Sequence, residues 1–199
     1  FDYYPDYGNA TQYKEGLAES KLVRKTESLG MLDIYQFNDA APLFTSDARI
    51  FFQKINPTKY KIFLEGARPG NKIVFAESFH SGWKMYLEKN PDHQWCTVLE
   101  NYRTNGTIVT ECNHRNYLFT ITDTAYLWKN SQLKIPHYVT NQYVNGWAID
   151  IDSLRKNFPK LYYKENSDGS FDIELTLYYL PQSLFFVGFI ISGTTLVLS

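Results

Sequence analysis

Hydrophobic and polar residues alternate in short runs along much of this chain, and a period of two predicts strands rather than helices. Met31 to Phe37 alternates, and Arg49 to Lys54 forms a second run closed by the turn signal Asn56-Pro57. Between Lys59 and Glu65, residues Tyr60, Ile62 and Leu64 share one face while Lys59, Lys61 and Glu65 take the other. Lys72 to Glu77 is apolar on both faces in its middle, as a strand central to a sheet is. Trp83 to Leu87 follows the Ser81-Gly82 turn, and Tyr138 to Ile151 returns to strand with Asn145-Gly146 marking a turn or bulge inside it. Arg155 to Lys164 reads as a basic, aromatic loop or single helical turn, and Phe171 to Tyr178 is the cleanest alternation of all. Frequent short strands bounded by Gly, Pro and Asn predict a mainly β fold, an antiparallel β-sandwich or jelly roll.

The pattern breaks at the end. Leu180 to Ser199 carries no charge, and a helix there has about the 20 apolar residues that cross a bilayer. It is predicted to be a transmembrane helix, cut at or near its far end, with Tyr178 and Tyr179 at headgroup depth. The alternative is a buried strand pair or core helix. The expected organisation is then an N-terminal extension over 1–30, a β domain over 31–179 with an insertion at 89–134, and the transmembrane helix over 180–199. The extension reads as a loop, with a short helix over Lys14 to Ser28 as the lesser alternative. The insertion holds the Asn-Gly hairpin, then Tyr117 to Ile121 and a short aromatic stretch through Trp128. The start at Phe1, without a signal-peptide pattern, is expected of a piece of a longer protein.

A formal net charge of -1 and the absence of a basic aromatic stripe argue against nucleic acid as a partner. Two cysteines frame the Asn105-Gly106 hairpin signal. A two-residue turn there sets Thr104 opposite Thr107 and Cys112 opposite Leu99, leaving Cys96 on the other face. Free thiols fit that register. A disulfide needs a bulge or a different turn, and zinc held by His93, Cys96, Cys112 and His114 matches no strong spacing. Asn9 and Asn105 sit in glycosylation-type triplets.

Two stretches mix polar and aromatic residues beside a turn, 75–86 and 139–150, and each contains a Gly-Trp pair. The candidate carbohydrate-binding residues are Glu77, His80, Trp83, Asn145, Trp147 and Asp150. Tryptophan supplies a stacking face and the others hydrogen bonds. Glu77 and Asp150 are also the best candidates for a glycosidase carboxylate pair. The structural alternative makes both tryptophans core residues and gives the carboxylates to backbone N–H groups in turns. No nucleophile elbow surrounds Ser78 and His80.

The segments Ile55 to Tyr60, Phe75 to Lys84, Tyr143 to Trp147 and Tyr179 to Gln182 together resemble one family. This is the C-terminal extracytoplasmic β-domain, with its following membrane helix, of YfhO-like and arabinofuranosyltransferase-like bacterial membrane proteins. The resemblance covers roughly 50–88 and 137–199. It implies a non-catalytic part of a GT-C type membrane glycosyltransferase that uses polyprenyl-phosphate sugars, the β-domain binding or orienting a saccharide. The implied setting is the extracytoplasmic side of the cell membrane, with the bilayer and an upstream membrane domain as partners and no cofactor. The family's catalytic acid lies in its N-terminal membrane domain, so no catalytic residue carries over. Glu88-Lys89-Asn90 stands where the family has a tight glycine turn, which leaves contacts after Tyr86 outside the likeness. Two other functions compete: a purely structural module packing on a membrane domain, and a carbohydrate-active hydrolase.

Overall fold

The computed structural model describes residues 15–16, 19, 23–30, 32–37, 42–104, 106–115 and 121–198. The glycosylation-type residues Asn9 and Asn105 lie outside them, as does the segment Tyr117 to Ile121, apart from Ile121 itself. Two compact units divide the chain, 1–41 and 42–199.

In the first unit β1 (Val23–Leu29) pairs with β2 (Leu32–Phe37) in an antiparallel hairpin. Gly30 makes the turn with φ +62°, a left-handed conformation that costs glycine little. Lys25 meets Asp33 at 2.6 Å, and the Ser28 hydroxyl donates to the same carboxylate at 2.8 Å. From Val23 onward, then, the expected loop is a strand. β2 sits where alternation put it, and its ladder partner is β1.

The second unit is mainly β. Among the described residues a four-stranded sheet runs β10 (His137–Thr140), β11 (Val144–Ala148), β6 (Lys72–Ser78), β3 (Phe44–Ser46). A larger, seven-stranded sheet runs β12 (Tyr163–Glu165), β13 (Phe171–Tyr179), β5 (Lys59–Ala67), β4 (Arg49–Asn56), β9 (Thr107–Cys112), β8 (Val98–Thr104). Its remaining strand, β7 (Trp83–Leu87), also pairs with β13. The pairs are antiparallel except β4 with β9, which is parallel, so the larger sheet is mixed. Residues 98–112, expected as an insertion, therefore belong to the main sheet.

One apolar cluster draws on both sheets: Phe44, Ile73, Phe75 and Trp147 from the smaller, and Ile50, Phe52, Tyr60, Ile62, Leu64, Leu175 and Leu177 from the larger. Phe44 stacks on Phe75 at 4.7 Å and meets Phe52 and Tyr60 at 5.0 and 5.5 Å. Alternation along β5 supplies its face of this core as read from sequence. β13 differs: Asp172, Glu174 and Thr176, its polar face, are buried too. Asp172 accepts from the Gly66 N–H and the Asn166 amide, and Glu174 accepts from the Asp92 N–H and pairs with Lys61. A covered polar face is tolerated when every carboxylate finds such partners.

On the outer face of the larger sheet Phe51, Phe63 and Cys112 form a second small cluster with Trp95 and Cys96. Cys96 and Cys112 are joined in a disulfide, with Cα atoms 5.1 Å apart. The hairpin has the expected register from Thr104↔Thr107 to Glu100↔Glu111, then slips so that Cys112 faces Val98. Leu99 is the extra residue, and this bulge brings Cys96 round to Cys112. That excludes both free thiols and a zinc site using these sulfurs. His93 instead stacks on Phe51 at 4.9 Å, and His114 pairs with Glu111 at 2.7 Å.

Where a basic, aromatic loop or single helical turn was expected over Arg155 to Lys164, the end of α1 (Ile151–Asn157), a 3-10 turn (Lys160–Tyr162) and the start of β12 follow one another. The last element, α2 (Pro181–Leu198), is a helix as expected. Among the described residues no helix is long and apolar enough to cross a membrane.

Candidate functional site

Asn145 organises the region the sequence singled out. The ladder between β11 and β6 slips at Val144/Asn145: Val144 faces Ser78 whereas Asn145 faces Phe75. Residues 76–77 therefore bulge from the ladder, and their backbone groups need other partners. The Ala76 N–H donates to the Leu43 carbonyl at 2.8 Å, and the fully buried Asn145 amide donates to the Glu77 and Ser78 carbonyls at 2.8 and 3.2 Å and accepts from the His80 N–H at 3.1 Å. Its oxygen also receives His137 Nε2 at 3.0 Å, which places the proton on that nitrogen.

Both tryptophans are interior. Trp147 is 2% exposed and stacks on His137 at 4.4 Å and 8°; Trp83 is 7% exposed and packs on Phe75, Tyr60 and Tyr179. The glycines before them serve close approach rather than an unusual φ. A Cβ on Gly146 would lie 2.8 Å from the Tyr138 ring, and one on Gly82 would lie 2.7 Å from Pro181.

The remaining candidates separate. His80 is exposed and its Nδ1 accepts from the Gly82 N–H at 2.9 Å, closing the turn into β7. Asp150 caps α1, accepting from the Ser153 N–H at 2.9 Å. Glu77 is exposed at the far end of β6. Ala148 pairs with Lys72, so Asp150 and Glu77 lie at opposite ends of the β6–β11 ladder. Some seven positions at ~3.4 Å put them roughly 20 Å apart. Glycosidase carboxylates sit within about 9.5 Å of each other, so this pair cannot act together.

What the fold does bring together is a cleft of about 470 Å³ between the start of β7 and the segment 132–137. Trp83, His137 and Trp147 line it alongside Lys84, Gln132 and Lys134. Burial pushes the His137 imidazole below its usual range; the Asn145 bond partly opposes this and Lys84 adds to it. The ring is thus neutral at pH 7, an acceptor at Nδ1. His137, Lys84, Gln132 and Lys134 escaped sequence reasoning because only the β10–β11 pairing and the bridging of residues 131–133 to β7 place them side by side.

A second cleft, about 440 Å³, lies on the outer face of the larger sheet. It contains the ion pairs Lys61–Glu174 (2.8 Å) and Lys129–Glu88 (2.6 Å). Lys59, which pairs with Asp123 at 2.7 Å, also lines it. Glu88 accepts a further bond from the Thr176 hydroxyl at 2.7 Å. Among the described residues no group of three His, Cys, Asp or Glu side chains is placed to hold a metal ion. No protein family, curated protein or solved structure matches the chain.

Proposed function

We propose that residues 42–198 are an extracytoplasmic β-sandwich domain of a membrane glycosyltransferase-like protein, resting on the bilayer through α2 and holding a saccharide in the Trp83–His137–Trp147 cleft. The observation that carries this reading is α2 itself. It has no charged residue, and Leu184, Phe185, Phe189, Ile191 and Leu196 are all exposed. An apolar surface of that extent marks contact with a membrane or a protein. The disulfide supports the extracytoplasmic side, since such bonds persist in oxidising compartments. The likeness of Gly82-Trp83-Lys84 and Gly146-Trp147 to YfhO-like β-domains supports the glycosyltransferase setting.

In the cleft the indoles form the floor, and Lys84, Gln132, Lys134 and His137 Nδ1 supply hydrogen bonds to hydroxyl groups. Titration with oligosaccharides tests this: Gln132→Ala and Lys134→Ala are expected to weaken binding with no change in melting temperature. Undiminished binding in both variants removes the cleft from the account. The burial of both indoles favours a second reading, a structural module that packs on a membrane domain, and a domain that binds no saccharide supports that instead.

A further inference from the structure

The outer cleft has no part in the saccharide reading, and it is rich in lysine. Lys59, Lys61, Lys89 and Lys129 line it beside two carboxylates, Glu88 and Glu174. Asp123, beneath Lys59, is a third. The lysines are held in place by rings as well as by carboxylates. Lys59 and Lys129 lie 5.1 and 4.9 Å from the centre of the Tyr126 ring, and Lys61 lies 4.7 Å from that of Trp95. Burial resists the charge on Lys59, but Asp123 and Tyr126 outweigh it and raise its pKa, so it is cationic at neutral pH.

The position of this cleft is as informative as its charge. The Ser183 hydroxyl, in the first turn of α2, donates to the Asp123 carbonyl at 3.0 Å and shares a 2.8 Å bond with the Tyr178 hydroxyl. Tyr126 in turn stacks on Tyr178 at 4.5 Å. The lysine cluster is therefore tied to the foot of the uncharged helix. Trp128, beside Lys129, is 72% exposed, the placement that indoles adopt at a membrane–water boundary.

We propose that this cleft receives the phosphate of an anionic lipid headgroup when α2 lies in a bilayer, an inference that rests on the membrane reading above. The lysine side chains meet the phosphate. The ion pairs with Glu88 and Glu174 keep the lysines positioned when no lipid is present.

The test is co-flotation of the full chain with phosphatidylcholine vesicles and with vesicles containing phosphatidylglycerol. The wild type is expected to prefer the anionic vesicles. K89Q/K129Q is expected to lose most of that preference, about fivefold per lysine, since each lysine near an anionic surface contributes ~1 kcal/mol. K156Q/K160Q, which removes the same charge on α1 and the following turn, is expected to keep it. E88Q frees Lys129 from its carboxylate and is expected to raise the preference, which supplies a second readout if K89Q/K129Q does not fold.

Equal binding of wild type to both vesicle types overturns this inference and leaves the membrane reading standing. No binding to either overturns both. Loss of the anionic preference on adding millimolar inorganic phosphate, at ionic strength held constant, assigns the cleft to free phosphate and overturns the lipid source.

Discussion

Asn145 uses both ends of its amide to close a gap in the sheet, and its removal leaves the Glu77 and Ser78 carbonyls and the His80 N–H without partners. These bonds are partly buried, and leaving such groups unsatisfied costs ~1 kcal/mol each, the lower end of the range for buried ones. Asn145→Ala is expected to lower stability by about 3 kcal/mol in urea denaturation, and a loss under 1 kcal/mol contradicts the bridging role. His137 carries a pH signature. Its folded pKa lies below the ordinary 6.5, so between those two values the unfolded chain binds more protons than the folded one. Stability is complete above pH 6.5 and falls as pH drops through the lowered value. Proton NMR of the imidazole checks the midpoint. The tryptophans belong to the same scale: Trp147→Ala is expected to cost about 3–5 kcal/mol, the range for deleting a buried aromatic ring. Sequence pointed to Asn145 and both tryptophans through the Gly-Trp pairs. It left open whether the indoles were open or buried, because that depends on His137 and Tyr179 arriving from other strands.

At the scale of elements, alternation located β4 to β7 and β13 because each carries several consecutive apolar positions on one face. It also set the β8–β9 register, with Thr104 opposite Thr107. The Leu99 bulge was not legible, since one extra residue at the end of a strand leaves the alternation of the remainder intact. That single residue decided the state of both cysteines. The disulfide closes a loop with a sequence separation of 16, for which the chain-entropy relation gives ~3 kcal/mol. Cys96→Ala/Cys112→Ala is therefore expected to lower stability by about that amount, measured by thermal or urea unfolding, and no change contradicts a closed bond in the native protein. The polar face of β13 misled for a related reason. Its carboxylates looked solvent-facing by period, but Lys61, Asp92 and Gly66 come from distant segments to cover them.

At the scale of the whole molecule, the mainly β class was legible and the organisation of the clefts was not. Each cleft is assembled across pairings such as β7 with β13 that no local pattern encodes. The helix at 181–198 was legible from its lack of charge, and among the described residues no helix is long and apolar enough to cross a membrane. What unites the account is an uncharged, exposed helix leaving a disulfide-bonded β domain. The most direct measurement is flotation of the detergent-free chain with phosphatidylcholine vesicles, beside the variant Phe185→Glu/Phe189→Glu/Ile191→Glu. The wild type is predicted to rise with the vesicles and the charged variant, equally folded by circular dichroism, to stay in the dense fraction. A wild-type chain that remains monomeric in the dense fraction would contradict the membrane-seated reading.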